Sequence, residues 1–247
     1  MLTAVVLTRN EEKNLDACLN SLKFCDRILV IDDNSTDSTL KIVKRHKAEF
    51  ITHSLNGDFS MQRNFALSVA NPGWVLFIDS DEKVTDGLAG EIKNAITRND
   101  CTGFYLHRKD IIWGKQLQFG DTGNIKLLRL AKRSAGSWIG KVHETWSVEG
   151  HTDTLKHPLL HYPHPSIDSF LTHLNNYSTL RAEELKNNGV KSTLIQIILY
   201  PLGKFIYLYV IKLGFLDGTA GFVHAMLMSF YSFLVKGKIY LLHKGIS

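Results

Sequence analysis

Apolar and polar positions follow two rhythms over the first hundred residues. Leu2–Thr8, Arg27–Asp32, Phe50–His53 and Trp74–Asp79 are short apolar runs closed by polar turn residues. That is the pattern of strands buried in a parallel sheet. Between them the period lengthens to that of a helix. Leu15, Cys18, Leu19 and Leu22 recur at i, i+3, i+4 and i+7 and define one buried face. Helices are also expected from about Thr36 to Arg45 and over Ser60–Ala70, and a further one is marked by Leu88, Ile92, Ala95 and Ile96. Asn10 is placed to cap the first helix, with Glu11 and Glu12 in its first turn. Strands alternating with helices predict an α/β fold: a Rossmann-like, mostly parallel sheet flanked by helices, with right-handed crossovers.

The rhythm changes after residue 100. Gly103–Lys109 and Ile125–Ala131 read as strands, separated by a loop rich in Gly, Asp and Trp. Residues 138–165, rich in His, Trp and Pro, read as irregular. Ile167, Phe170, Leu171, Leu174 and Tyr177 then open a long helix, and residues 192–240 read as apolar helix broken near Pro201 and at Gly214–Gly221. These patterns divide the chain at residue 165. Residues 1–165 would form the α/β domain, and 166–247 a helical extension.

Charge sharpens the picture of that extension. The net charge is +5 over 247 residues. Lys191, Lys204, Lys212, Lys236, Lys238 and Lys244 face a single acid, Asp217, after residue 190, so this segment carries the whole excess. Residues 218–235 are uncharged for 18 positions, the lower edge for a membrane span, and are interrupted by His224, Ser229 and Ser232. Basic and apolar together, with Tyr200, Tyr207, Tyr209, Tyr231 and Tyr240 alongside, these helices read as lying in an anionic membrane interface. Packing on the α/β domain or in a dimer is the competing reading. No basic stripe or reader motif points to nucleic acid. Cys18, Cys25 and Cys101 show neither metal nor redox spacing and fit a reducing compartment. The N-terminal apolar run is short for a signal peptide and lacks a basic leader. The expected location is the cytoplasm, at the inner face of the membrane.

Acidic clusters end two of the strands: Asp32-Asp33-Asn34-Ser35-Thr36-Asp37 and Asp79-Ser80-Asp81-Glu82. In an open α/β sheet, ligands bind beyond the carboxyl ends of the strands. Residues two apart in extended chain face one side, so Asp79 and Asp81 are able to address one hard cation, Mg²⁺ or Mn²⁺, together with diphosphate oxygens. At the other cluster, part of the set starts a helix, and one of Asp32 and Asp33 is expected to bind ligand while its neighbour is structural. There is no G-x-G-x-x-G after the first strand and no G-x-x-x-x-G-K-[S/T] anywhere, which excludes dinucleotide and P-loop phosphate sites.

With these residues in view, the chain resembles the family 2 inverting glycosyltransferases of GT-A fold. The carrying segments are Val5-Val6-Leu7-Thr8-Arg9-Asn10-Glu11-Glu12, Val30-Ile31-Asp32-Asp33-Asn34-Ser35-Thr36-Asp37-Ser38-Thr39, Gln62-Arg63-Asn64 and Asp79-Ser80-Asp81-Glu82. Val142-His143-Glu144 and Lys212–Phe222 make it most similar to the lipopolysaccharide core β-1,4-glucosyltransferases. The resemblance implies a nucleotide-diphosphate sugar donor. Thr8, Asn10, Glu11, Asp33 and the adjacent Asp32 would lie along the nucleotide. Arg63 would approach the uracil or diphosphate. Asp79 would contact ribose or metal, and Asp81 would hold the metal. The general base that inversion requires is sought among Glu144, Asp121 and His143, with Glu144 favoured by its place in the motif. The segment Trp113–Gly123 departs from the pattern of these relatives.

The implied reaction moves a hexose, glucose from UDP-glucose, to a lipid-anchored saccharide. A polyprenyl-linked oligosaccharide acceptor and a non-catalytic sugar-nucleotide binding protein are the alternatives. Trp113, Trp138 and Trp146 are candidates to stack on sugar rings or to pack in the core. Arg129 is a phosphate ligand or a solvated strand residue. His157, His161 and His164 have loop-like spacing and are not read as a metal cluster.

Overall fold

The computed structural model describes residues 1–140, 144–163 and 166–246. The chain divides into two compact units: Met1–Arg108 with Lys126–His161, and Lys109–Ile125 with Tyr162–Ser247.

In the first unit, β1 (Leu2–Thr8), β2 (Arg27–Asp32), β3 (Glu49–Thr52) and β4 (Trp74–Asp79) run parallel in the order β3-β2-β1-β4. The connecting helices are α1 (Leu15–Ser21), α2 (Thr39–Arg45) and α3 (Phe59–Val69), and α4 (Asp86–Ala95) follows the sheet's fourth strand. Past β4 the sheet continues with β8 (Ile125–Lys132), β6 (Gly103–Ile112), β11 (Thr152–His161) and β5 (Glu82–Val84). β8 is antiparallel to β4, and β5 to β11. This mostly parallel, helix-flanked sheet is the GT-A arrangement.

β1 is buried at every position because both faces of the sheet are covered. Leu2, Ala4 and Val6 pack with Leu15, Leu19, Leu88 and Ile92 on one face. Val5 and Leu7 pack with Leu29, Ile31, Ala66 and Phe77 on the other. This is the period-2 alternation of a strand buried on two sides. Phe77 is fully buried, edge-on to both Trp138 and Trp146 at 5.1 Å. Phe77→Ala should cost about 4 kcal/mol. Chemical denaturation would show it, and a loss below about 1 kcal/mol would contradict this packing.

Several expectations are corrected. Asn10 does not cap α1, which begins at Leu15. It takes a left-handed backbone (φ 53°). Its N–H donates to Ser35 Oγ and its side-chain oxygen accepts from Thr36 N, which ties the ends of β1 and β2 together. α2 starts at Thr39 rather than Thr36, because Glu12 and Asp37 hold the intervening backbone: Glu12 Oε2 accepts from Ser38 N, and Asp37 Oδ1 from Thr39 N. Within the stretch expected to be irregular lie the end of β9 (Gly136–Ile139), β10 (Thr145–Val148) and all of β11. β9 and β10 form a hairpin in which Trp138 pairs with Trp146. Those two rings stack at 5.3 Å and are 5% and 4% exposed, so they pack in the core rather than face a sugar.

The second unit is built on α5 (Ile167–Asn187), α6 (Leu194–Ile206) and α7 (Gly218–His243), with α7 packed on both others. Reciprocal capping boxes start α5 (Ser166, Ser169) and α6 (Thr193, Gln196). α6 runs through Pro201 instead of breaking there, and Ser229 Oγ of α7 donates to the Pro201 carbonyl. The break falls later, after a π-turn at Tyr207–Ile211, where Leu213 turns left-handed (φ 57°). Gly221 permits the return, since a Cβ there would lie 2.1 Å from the Gly214 carbonyl oxygen.

β7 (Lys115–Gln116) folds back on Ile111 and Ile112. The loop after it is pinned by Asp217, whose carboxylate accepts from Gln118 N and Phe119 N. Trp113, left-handed at φ 51°, packs near Phe170 at 6.5 Å between ring centres.

Polarity in the second unit is inverted. Leu194, Ile195, Ile198, Leu199, Leu202 and Ile206 are 52% to 68% exposed, while His224 and Ser229 are buried. Leu194–Ile211 and Gly214–His243 are long and apolar enough to cross a membrane by length and composition.

Candidate functional site

Register places the chemistry of the first unit. Across the sheet, Thr8 pairs with Asp32, and Leu7 with Asp79. The strand ends carrying Asp32-Asp33 and Asp79-Ser80-Asp81 therefore flank β1 at one carboxyl edge, roughly 10 Å apart across two strand spacings.

The two acids of the first cluster differ in what holds them. Asp32 accepts from Ser35 N at 2.9 Å and from Ser35 Oγ, which shapes the turn after β2. Asp33 accepts from Leu55 N at 2.9 Å and pairs with Arg9, whose side chain is 66% exposed. A ligand at this edge would displace an exposed arginine from Asp33 but would have to unmake a turn to reach Asp32. Glu11 lies nearby. Burial raises its carboxyl above the usual range, the Asn14 amide opposes this, and the charge of Asp81 adds to it.

The second cluster is the electrostatic centre of the unit. Asp79 bonds Arg63 Nη2 at 2.9 Å and Arg129 Nη2 at 2.6 Å. Arg63 Nε also donates to Glu144 at 2.8 Å, and its guanidinium lies over the Trp138 ring at 4.6 Å. Glu82, fully buried, accepts from Asp79 N at 2.9 Å and faces Arg129 at 3.8 Å. Asp81 Oδ2 lies 3.3 Å from His161 Nε2. His157 instead meets Glu91 at 3.0 Å, while His164 and His143 lie outside the described residues.

Burial alone would raise the Asp79 carboxyl, but the guanidiniums of Arg129 and Arg63 outweigh it and hold it far below the ordinary value of 3.8. Burial lifts Glu82 the other way, against the pull of Arg129. The unfolded chain therefore takes a proton on Asp79 before the folded one does. The stabilisation it contributes is complete above the unfolded pKa of 3.8 and is lost as pH falls below it. Asp79→Asn should flatten the acid limb of a plot of Tm against pH, and an unchanged slope would contradict the pairing.

Sequence reasoning left two members of this network without their observed role. Arg129 is a buried strand residue bonded to a carboxylate, not a solvated one. Its signal was a lone arginine inside the apolar run Leu127-Leu128-Arg129-Leu130-Ala131. Glu82 was legible only as the last acid of its cluster.

The residues present suit a divalent cation of the kind that binds diphosphate. Among the described residues, no group of three or more His, Cys, Asp or Glu side chains is arranged to hold a metal. Asp81, 26% exposed, offers hard oxygens, whereas both oxygens of Asp79, 29% exposed, are bonded to Arg63 and Arg129. One or two carboxylates completed by phosphate oxygens and water is how Mg²⁺ is usually held. Among the described residues here, Arg63 Nη1, Thr8 Oγ1 and Glu82 Oε1 are buried without a hydrogen-bond partner. Buried polar atoms of this kind call for a partner, which a polar ligand would supply. A groove of about 450 Å³ lined by Asn64, Gly73, Arg133 and Ser137 holds no such set, and the Arg133 guanidinium there is bonded to the Leu67 and Ser68 carbonyls.

Asp121 belongs to the second unit. Lys204 Nζ and His224 Nδ1 each lie 3.6 Å from its carboxylate.

These features are those of a glycosyltransferase. The chain belongs to glycosyl transferase family 2, whose model matches residues 3–145. It is 29% identical over 251 residues to the lipopolysaccharide core biosynthesis glycosyltransferase LpsC of Rhizobium meliloti, covering 98% of this chain and 93% of that one. It is 27% identical over 257 residues to an uncharacterized glycosyltransferase of Rickettsia felis, covering 96% of this chain and 89% of that protein. Among solved structures it is similar to S. aureus TarS 1–349 in complex with UDP-GlcNAc, at 15% identity and a TM-score of 0.48, over 99% of this chain and 92% of that one.

Proposed function

We propose that the protein is a metal-dependent inverting glycosyltransferase that moves a hexose, glucose from UDP-glucose, onto a lipid-anchored saccharide such as a lipopolysaccharide inner core. The observation that carries the reading is the shared carboxyl edge of β1, β2 and β4, with Thr8, Asp33, Arg63, Asp79 and Asp81 around it. Glucose and UDP rest on the resemblance to lipopolysaccharide core β-1,4-glucosyltransferases. The acceptor is supported by the similarity to LpsC and by the exposed apolar helix α6 among lysines.

In this reading Asp33 accepts a hydrogen bond from the base or ribose once Arg9 moves aside, with Asn10 and Glu11 on the same nucleotide edge. Arg63 turns its unpartnered nitrogen toward the diphosphate. Asp81, with Asp79 beside it, would hold Mg²⁺ or Mn²⁺, and the cation would supply positive charge to the leaving diphosphate. The acceptor hydroxyl forms its bond to the anomeric carbon as the bond to the UDP oxygen breaks. Its proton passes to a carboxylate, and the sugar inverts. Glu144, bonded to buried Arg63 beside Asp79 on this edge, is the carboxylate to which we assign the proton, in keeping with its place in Val142-His143-Glu144.

UDP release from UDP-glucose, with Mn²⁺ and lipopolysaccharide truncated to its inner core, tests the function. Acceptor-dependent release is expected. Folded protein that binds UDP but releases none with any nucleotide sugar or lipid extract would overturn the enzymatic reading. Glu144→Gln should lower kcat by about 10²-fold or more. Asp121→Asn should leave kcat within about tenfold of wild type. The opposite pattern would move the base to Asp121.

A further inference from the structure

The helices of the second unit carry an open groove of about 450 Å³, lined by Leu199, Tyr200, Gly203, Lys204, Tyr207 and Ser232. Its chemistry is mixed in a particular way. Around it, α6 exposes an apolar surface, with Leu199 58% and Leu202 56% exposed. Inside it are two phenols, a serine hydroxyl and an ammonium. Two more ammoniums stand at its aromatic walls. Lys236 Nζ lies over the Tyr200 ring at 4.1 Å, and Lys212 Nζ over the Tyr207 ring at 5.6 Å. Among the described residues, neither Lys212 nor Lys236 has a carboxylate within ion-pair distance. Lys238, two residues after Lys236, shows the contrast. Its ammonium is consumed by Asn175, Ser178 and Thr179 of α5.

Lys204 is paired with Asp121, but apolar flanks, aromatic walls and the two ammoniums of Lys212 and Lys236 are complementary to one kind of molecule, an anionic amphiphile. The flanks take acyl chain, and phenols at the boundary of chain and water suit the headgroup level. Lysine ammoniums near a membrane attract anionic headgroups. We infer that the α6–α7 groove is a binding site for anionic membrane phospholipid, with Lys236 over Tyr200 and Lys212 over Tyr207 each meeting a phosphate headgroup. The inference rests on the membrane-docking part of the proposed function and is independent of the donor site. It gives the docked protein a defined seat on the membrane where diffuse attraction would give none.

The test uses full-length protein and vesicles, either of pure phosphatidylcholine or of equal parts phosphatidylcholine and phosphatidylglycerol. Wild type should bind the second far more tightly. Lys212→Ala with Lys236→Ala should weaken that binding by about 25-fold, two lysines at roughly fivefold each. Lys191→Ala with Lys244→Ala removes the same charge away from the groove and should cost several-fold less. Ser232→Trp fills the groove without changing charge and should also weaken binding. Equal loss in both double variants, with Ser232→Trp neutral, would reduce the effect to diffuse charge and overturn the site. Stabilisation of wild type by inorganic phosphate alone, lost in Lys212→Ala with Lys236→Ala, would reassign the groove to a soluble anion. Failure of wild type to bind either vesicle would overturn the groove and the docking together. Thermal stabilisation by UDP and Mn²⁺, measured on the same samples, reports the donor site separately and also shows that each variant is folded.

Discussion

Asp81→Ala should reduce sugar transfer by about a thousandfold while leaving the protein folded. The expected size follows from the several kcal/mol a metal ion contributes against developing charge, at about 1.4 kcal/mol per tenfold in rate. The selectivity follows from the structure. Asp79 is already neutralised by Arg63 and Arg129, so it has little charge left to offer a cation. Asp81 keeps 26% of its side-chain surface and meets His161 at 3.3 Å. Its loss removes negative charge where a cation would sit and empties no core position. Turnover at saturating Mn²⁺, read beside a melting curve, checks this. Activity retained within about tenfold, or a collapse of the melting transition, would contradict it.

Arg129→Met should act in the opposite order, on the fold first. The substitution leaves Asp79 with one cationic partner and Glu82 facing an apolar side chain. Breaking a buried pair from one side costs on the order of 3 kcal/mol. Burial already lifts the Glu82 carboxyl above its usual range, and Arg129 is what opposes that lift. Without the arginine, Glu82 should protonate more readily and the Asp79 backbone N–H should lose its charged acceptor. Urea denaturation should show the loss, with donor affinity falling as the D-x-D loop loosens. Arg129→Lys should recover part of the stability but less of the affinity, because one ammonium does not reproduce a fork of parallel donors. A variant as stable as wild type would mean that the Arg129–Asp79 bond contributes nothing.

Residues whose environment is set by their own strand were legible in the sequence. The runs Leu2–Thr8, Arg27–Asp32 and Trp74–Asp79 coincide with β1, β2 and β4, since a strand buried on both faces writes itself as an unbroken apolar run. The helix face Leu15, Cys18 and Leu19 is buried for the equivalent reason in the helical period. Where partners come from elsewhere in the chain, the reading failed. Asn10 has the chemistry of a helix cap, yet its bonds go to Ser35 and Thr36 across the sheet edge. Trp138 and Trp146 sit in a segment with no clear period because a short hairpin shows too few alternations to be read. A proline interrupts most helices, but α6 runs on through Pro201, packed against α7. Arg129 was ambiguous because its partner, Asp79, is 50 residues away. The D-x-D was visible as a motif. That Arg63 and Arg129 both bond Asp79 and leave Asp81 to His161 was not.

The most direct test of the account is calorimetric titration of UDP into wild type and Asp81→Ala, each with and without Mn²⁺. The account predicts that Mn²⁺ strengthens UDP binding to wild type by about tenfold or more and does nothing for the variant. Equal enhancement by Mn²⁺ in both proteins would place the cation away from Asp81 and contradict the shared carboxyl edge as the seat of the donor.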